Sequence, residues 1–383
     1  MTSEGGTARS AATELLILLA RQDLDPARIE QIEQLARPGA ALDEQAFVFL
    51  AEEHRLAPLV AANVRRLNRG GAAFRLGSGT RRILNALGVF HAGANAVMAD
   101  EIRLIVGATA AAGAPVVLRK GGQLAFSTYR DPGLRPMSDL DLLVAPGAEA
   151  DLTAVLEDLG YTQGVPDADG TSIRPLDRRR QIFWNLYGSD LPKLNKLTGT
   201  DRRPVVSIDV NTSLMLPGKE YEIPVGEVFA RARTEKFAAG HEGMVLSPED
   251  TLLDLCLHLY KNSTTLFFMH AGKHRRLIKY VDLAEFVTSH GDLDWPAVLD
   301  RARRYGVEPP VWFSLAHVET VFPGTVPGPV LDRLREALGE PEAFLDQYGQ
   351  WDLPEPARWP VPLRDRLFDR SWDRELPRAR SLL

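Results

Sequence analysis

One stretch, Lys120 to Val144, constrains this chain more than any other; it reads KGGQLAFSTYRDPGLRPMSDLDLLV. It opens with a Gly pair directly after the apolar run PVVLR and closes with Asp139 and Asp141 alternating with leucines. Residues i and i+2 of a strand point to one face, so the two carboxylates project together. Side by side they repel, and each tends to raise the other's pKa. A hard divalent cation removes the conflict, and Mg²⁺ is usually held by one or two carboxylates plus substrate phosphates. The stretch therefore reads as strand, Gly-Gly turn, helix, loop, then a strand carrying a metal-binding Asp pair. The competing reading is an exposed DxD on an edge strand that blocks strand pairing. The apolar neighbours favour a central strand, and Gly121 and Gly122 offer backbone that can approach a phosphate closely.

A later run, RPVVSIDVNTSLM, holds a second apolar strand over Val205 to Val210 with Asp209 inside it. Neighbouring strands lie ~4.8 Å apart, so a third carboxylate can close on the same metal site. A charge in so apolar a strand also needs a partner.

The order Lys-Gly-Gly, spacer, Arg-Pro-x-Ser-Asp-x-Asp resembles the nucleotidyltransferase superfamily signature. Within it, the chain resembles the bacterial group of uncharacterised nucleotidyltransferases related to DNA polymerase beta. Sixteen residues separate Gly122 from Asp139, a longer spacer than many polymerase-type members have. The resemblance implies an α+β fold: a nucleotidyltransferase core with a small mixed β-sheet, flanked by N-terminal and C-terminal helical domains. It implies two Mg²⁺ ions held by Asp139, Asp141 and Asp209, which act as the catalytic carboxylates, with ATP as substrate. Lys120, Gly121, Gly122, Arg135 and Ser138 become the nucleotide-binding residues. Lys120 and Arg135 can neutralise phosphate charge. A solvated loop cation and a structural bridge to an Asp remain open for these two. In the family the run after the third Asp usually reads Asp-x-His; here Asn211 stands in the His position.

The implied reaction moves a nucleoside monophosphate, AMP from ATP, to a small-molecule acceptor and releases pyrophosphate. Two alternatives share the same site: a ligase that adenylates a carboxylate for amide formation, and a nucleotide-binding pseudoenzyme. A net charge of −6 and no basic stripe with interleaved aromatics argue against a nucleic-acid platform. The P-loop pattern GxxxxGK[ST] is absent.

At 383 residues, more than one domain is expected. The expected divisions are an unstructured start at 1–10, a helical domain at 11–99 and the core at 100–232. A C-terminal helical domain at 233–352 and a Pro- and Arg-rich arm at 353–383 follow. His54, in an amphipathic helix, is read as a core-side polar residue. Cys256, the one cysteine, is read as a buried structural thiol. DRRRQ at 177–181 reads as a solvated face more readily than as a substrate contact. His258, Lys261, Lys273 and Lys279 sit in helical segments where basic residues are ordinary; one or two of them are open to a triphosphate or base contact. With no signal-peptide pattern and no apolar run of the ~20 residues a bilayer requires, a cytoplasmic protein without membrane partners is expected.

Overall fold

The computed structural model describes residues 3–378 except 38, 73, 178–190, 217–218 and 237–241, with side chains from residue 10 onward. Four helices lead: α1 (Ser3–Leu19), α2 (Pro26–Leu35), α3 (Glu44–Glu53) and α4 (Ala57–Arg69). Local chemistry sets their ends. Asp25 caps α2 by accepting from the Arg28 N–H at 2.8 Å, with Pro26 in the first turn. Asp43 caps α3 in the same way. A 34-residue helix, α5 (Ser78–Ala111), then runs into the sheet, so the boundary expected at residue 99 falls inside a helix. Likewise α1 begins at Ser3, within the stretch expected to be unstructured.

The core follows as β1 (Val116–Arg119), α6 (Lys120–Ser127), β2 (Leu140–Val144), α7 (Glu149–Asp158), β3 (Thr162–Pro166), β4 (Ile173–Pro175), β5 (Leu194–Leu197) and β6 (Val205–Asn211). After α8 (Val225–Ala230) come β7 (Arg233–Lys236) and β8 (Glu242–Val245). The sheet is mixed, in the order β4-β3-β5-β6-β2-β1-β8-β7. β2 is parallel to β6, and β1 is parallel to β8; the other pairs are antiparallel. The DxD strand is therefore central. Apart from Asp177, the DRRRQ run lies outside the described residues.

Alternation along the strands builds two layers. Val116, Leu118, Leu140, Leu142, Val206, Ile208 and Val210 pack with Met98, Ile102 and Ile105 of α5 and with Leu152 and Leu156 of α7. Val117 and Leu143 point the other way, into the helices. Asp141, two residues before Leu143, shares that second face, and so does Asp209 between Ile208 and Val210.

The helices beyond the sheet are α9 (Pro248–Thr264), α10 (Leu266–His270), α11 (Ile278–Ser289), α12 (Trp295–Arg304), α13 (Glu308–Val321), α14 (Gly328–Glu336), α15 (Pro341–Leu345) and α16 (Leu363–Phe368). Ser247 caps α9, accepting from the Asp250 N–H, with Pro248 in the first turn and two acids behind it. The N-terminal and C-terminal helices are not two separate bodies. Leu15, Phe47 and Val60 share one hydrophobic cluster with Leu253, Leu283 and Val318. Arg21 and Gln22 both bind the Glu285 carboxylate. The final segment packs back onto the protein rather than extending: Trp359 and Leu376 join Leu266 and Met269 in a small cluster. His54 is fully buried, and its Nδ1 accepts from the Leu277 N–H. Cys256 is buried.

Candidate active site

The site grows from the register of two strands. Asp141 on β2 stands directly opposite Asp209 on the parallel strand β6. Asp139 lies one residue before β2. The Lys193 ammonium reaches Asp139 at 3.1 Å and Asp209 at 3.3 Å. Those two oxygens therefore flank a single cation. The Lys120 ammonium is 2.5 Å from Asp141. Ser138 donates its hydroxyl to Asp139 at 2.7 Å.

Electrostatics separate the carboxylates. Burial pushes the Asp209 carboxyl up to about 6, with the charges of Asp139 and Asp141 adding to the effect and Lys193 opposing it. Burial acts the same way on Asp139, but Lys193 and the Ser138 hydroxyl outweigh it and hold that group below the usual carboxylate range. Asp209 is thus the member of the cluster most in need of another cation.

The Gly pair is not a turn. Lys120 itself makes the bend, with φ +45°, and Gly121 and Gly122 lie in the first turn of α6. A left-handed conformation at a non-glycine residue is strained, and such strain gathers at functional sites. Both glycines are buried for a packing reason. A Cβ on Gly121 would collide with the Arg135 guanidinium, and one on Gly122 would come 2.5 Å from Leu140 Cδ1. Their N–H groups belong to the first helical turn, which has no intrahelical acceptors for them. Arg135 bridges to an Asp: its Nε and one terminal nitrogen grip Asp282 at 3.0 and 2.7 Å. Tyr129 donates to the same carboxylate at 2.8 Å.

Lysines and a histidine gather beside Lys120. Burial lowers the proton affinity of His258, and Lys120, Lys279, Lys261 and Lys273 lower it further. Lys279 is lowered in the same way, by burial first and then by Lys273, Arg276, Lys120 and Lys261. The ammonium groups of Lys261 and Lys273 lie 5.5 and 5.2 Å from the Phe268 ring centre. Helices α9 and α11 and the loop between them therefore bring a concentration of positive charge to the core.

Lys193, Arg119 and Asp254 carry no motif in the sequence that singles them out. Arg119 is 1 % exposed at the end of β1, pairs with Asp254 of α9, and donates to Asn211 Oδ1 at 2.5 Å. Asn211 thus serves as a buried acceptor. An arginine closing an apolar strand was the available signal, since a buried guanidinium demands a partner.

Among the described residues, no three His, Cys, Asp or Glu side chains close around one point as a metal-ligand set. Instead, the ammonium groups of Lys193 and Lys120 sit on the three carboxylates. The donors are all hard carboxylate oxygens, the type that suits Mg²⁺. The cluster therefore fits the ion in kind, and a bound cation would take over charge neutralisation that Lys193 now supplies.

A central parallel strand pair presenting three carboxylates, entered through a strained lysine and a Gly-Gly helix start, defines a nucleotidyltransferase-type core. The model of a family described as uncharacterised nucleotidyltransferase matches residues 40–323, and the chain belongs to that family. A comparison with curated proteins finds no match. Family membership supports nucleotidyl transfer in general. No helix among the described residues is long and apolar enough to cross a membrane.

Proposed function

We propose that the protein is a Mg²⁺-dependent nucleotidyltransferase that moves a nucleoside monophosphate, AMP from ATP, to a small-molecule acceptor and releases pyrophosphate. The observation that carries this reading is the in-register pairing of Asp141 with Asp209, with Lys193 bridging Asp209 to Asp139. Asp139, Asp141 and Asp209 would hold the metal, which when bound neutralises phosphate charge and lowers the pKa of the attacking group. The lysines around His258, together with Lys120 and the first-turn N–H groups of α6, are suited to a triphosphate. The acceptor's hydroxyl oxygen forms the bond to the α-phosphorus as the bond from that phosphorus to the β-phosphate bridge breaks. The electron pair leaves on pyrophosphate. The hydroxyl proton passes to the Asp209 carboxylate, which acts as the general base. The acidic net charge favours a small acceptor over a nucleic acid.

Calorimetry with each nucleoside triphosphate, with and without Mg²⁺, tests the binding half of this reading. ATP is expected to bind measurably only with Mg²⁺, and Asp139→Ala is expected to abolish that dependence. Equal weak heats for all four nucleotides, unchanged in Asp139→Ala, would count against it.

A further inference from the structure

A second cationic zone lies on the other flank of Ser138. A pocket of about 400 Å³ opens there, within the range of small-ligand clefts. Its walls come from the last turn of α3 and Arg55 just beyond it, from α5, from the segment before β2, from the turn before β6 and from Arg276. Four guanidinium groups line it: Arg55, Arg202, Arg203 and Arg276. The one acid in the lining, Glu52, sits 3.5 Å from His91. A cavity of similar size is lined only by residues of α4 and α5.

The arginines are placed rather than incidental. Arg203 donates to the carbonyls of Met137 and Ser138 at 2.8 and 2.5 Å, while its buried Nε has no hydrogen-bond partner. Arg55 adopts φ +60°; with Lys120 it is one of two non-glycine residues in the left-handed region among those described. A bend that glycine would make more easily therefore carries a cation in both zones. Arg276 donates to the Glu53 carbonyl. The arginines also repel one another. Burial lowers the proton affinity of Arg203 and Arg276, and Arg55 adds to the effect on both. Phe90, Ala94, Met137 and Pro204 supply an apolar wall, and Phe90 is 56 % exposed.

We propose that this pocket binds a phosphate-bearing small organic molecule, anchored by Arg55, Arg202 and Arg203, and that this molecule is the acceptor of the transfer. The word acceptor rests on the nucleotidyl-transfer reading; the phosphate specificity does not. Several guanidinium groups facing one space call for an anion with about two charges, and a phosphate monoester brings that charge with oxygens that match the arginine fork. The apolar wall takes the organic part. Ser138 lines the pocket and its hydroxyl binds Asp139, so a molecule anchored here presents its far end to the carboxylates.

The test titrates matched probes into the full-length protein by calorimetry, with Mg²⁺ and a non-hydrolysable ATP analogue at saturation. The probes are glycerol against glycerol 3-phosphate, glucose against glucose 6-phosphate, and succinate as the carboxylate arm. At least one phosphorylated probe is expected to bind about tenfold or more tightly than its neutral partner and than succinate. Arg202→Ala is expected to lose about tenfold of that affinity and Arg202→Glu more, at an unchanged melting temperature, because Arg202 is exposed. No preference for phosphate in any pair would overturn the proposal. So would succinate binding as tightly, affinity untouched by both variants, or displacement of the probe by the analogue. Arg202-dependent phosphate binding without analogue binding would support the pocket and count against nucleotidyl transfer. Analogue binding without phosphate preference would sink the pocket alone.

Discussion

Arg119 and Asp254 join the central sheet to the helices through a fully buried ion pair, with the guanidinium Nε 3.1 Å from the carboxylate. Neither residue is more than 1 % exposed. Breaking such a pair leaves an uncompensated buried charge, so Asp254→Ala is expected to destabilise the protein by about 3–5 kcal/mol. Urea denaturation measures this. A loss below ~1 kcal/mol would mean that the pair does not hold the two layers together.

Gly122 faces Leu140 Cδ1 so closely that a methyl group has no room. Leu140 is fully buried and cannot swing aside cheaply. Gly122→Ala is expected to cost about 1–3 kcal/mol as overpacking, read as a lowered melting temperature. Gly147→Ala, where a Cβ meets nothing, is strained only by its φ of +87° and separates the two effects.

Much of this site is legible in the sequence, for a definite reason. A strand that alternates Asp with Leu can satisfy both faces only if the leucines enter a core and the carboxylates share the other side. The same logic placed Asp209 beside Asp141, and the register bears it out. The chain was less readable where a residue's partner is distant in sequence. Nothing near Arg135 names Asp282, and nothing near Lys193 says that its ammonium lies between two carboxylates. In the sequence the Gly pair reads as a turn because glycine frees the backbone, whereas in the fold it clears space for neighbouring side chains. The helical regions before and after the core looked like separate domains because amphipathic patterns do not say which apolar faces meet.

Burial lowers the His54 pKa to about 4, with Glu53 and a backbone hydrogen bond at Arg275 pulling the other way and the charges of Arg275 and Arg276 adding to the depression. The unfolded chain binds that proton near pH 6.5, so between pH 4 and 6.5 the unfolded state holds more protons than the folded one. Stability therefore rises with pH across this window and is lost as pH falls through it, by on the order of 3 kcal/mol from this group. Asp209, with its raised pKa, acts in the opposite sense over part of the same range. Comparing urea midpoints of the wild type and His54→Gln at several pH values isolates the histidine. Parallel curves would contradict the assignment.

Lys193 neutralises Asp139 and Asp209 from a half-exposed position. Removing it in Lys193→Met leaves the carboxylates with excess negative charge. Mn²⁺ is then expected to bind more tightly in the absence of nucleotide. The gain should be roughly tenfold or less, because solvent screens such pairs. Paramagnetic resonance of free Mn²⁺ reads this directly, and weaker binding in the variant would show that Lys193 supports the cation site instead of standing in for it.

The central claim is tested most directly by following label from ATP carrying ³²P at either the α- or the γ-position, with Mg²⁺ and the phosphorylated probes as acceptors. Nucleotidyl transfer predicts that α-label enters the acceptor while γ-label appears in pyrophosphate in equal amount, and that Asp209→Asn abolishes both without loss of the fold. Passage of γ-label to the acceptor, or pyrophosphate release at an unchanged rate in Asp209→Asn, would contradict the account.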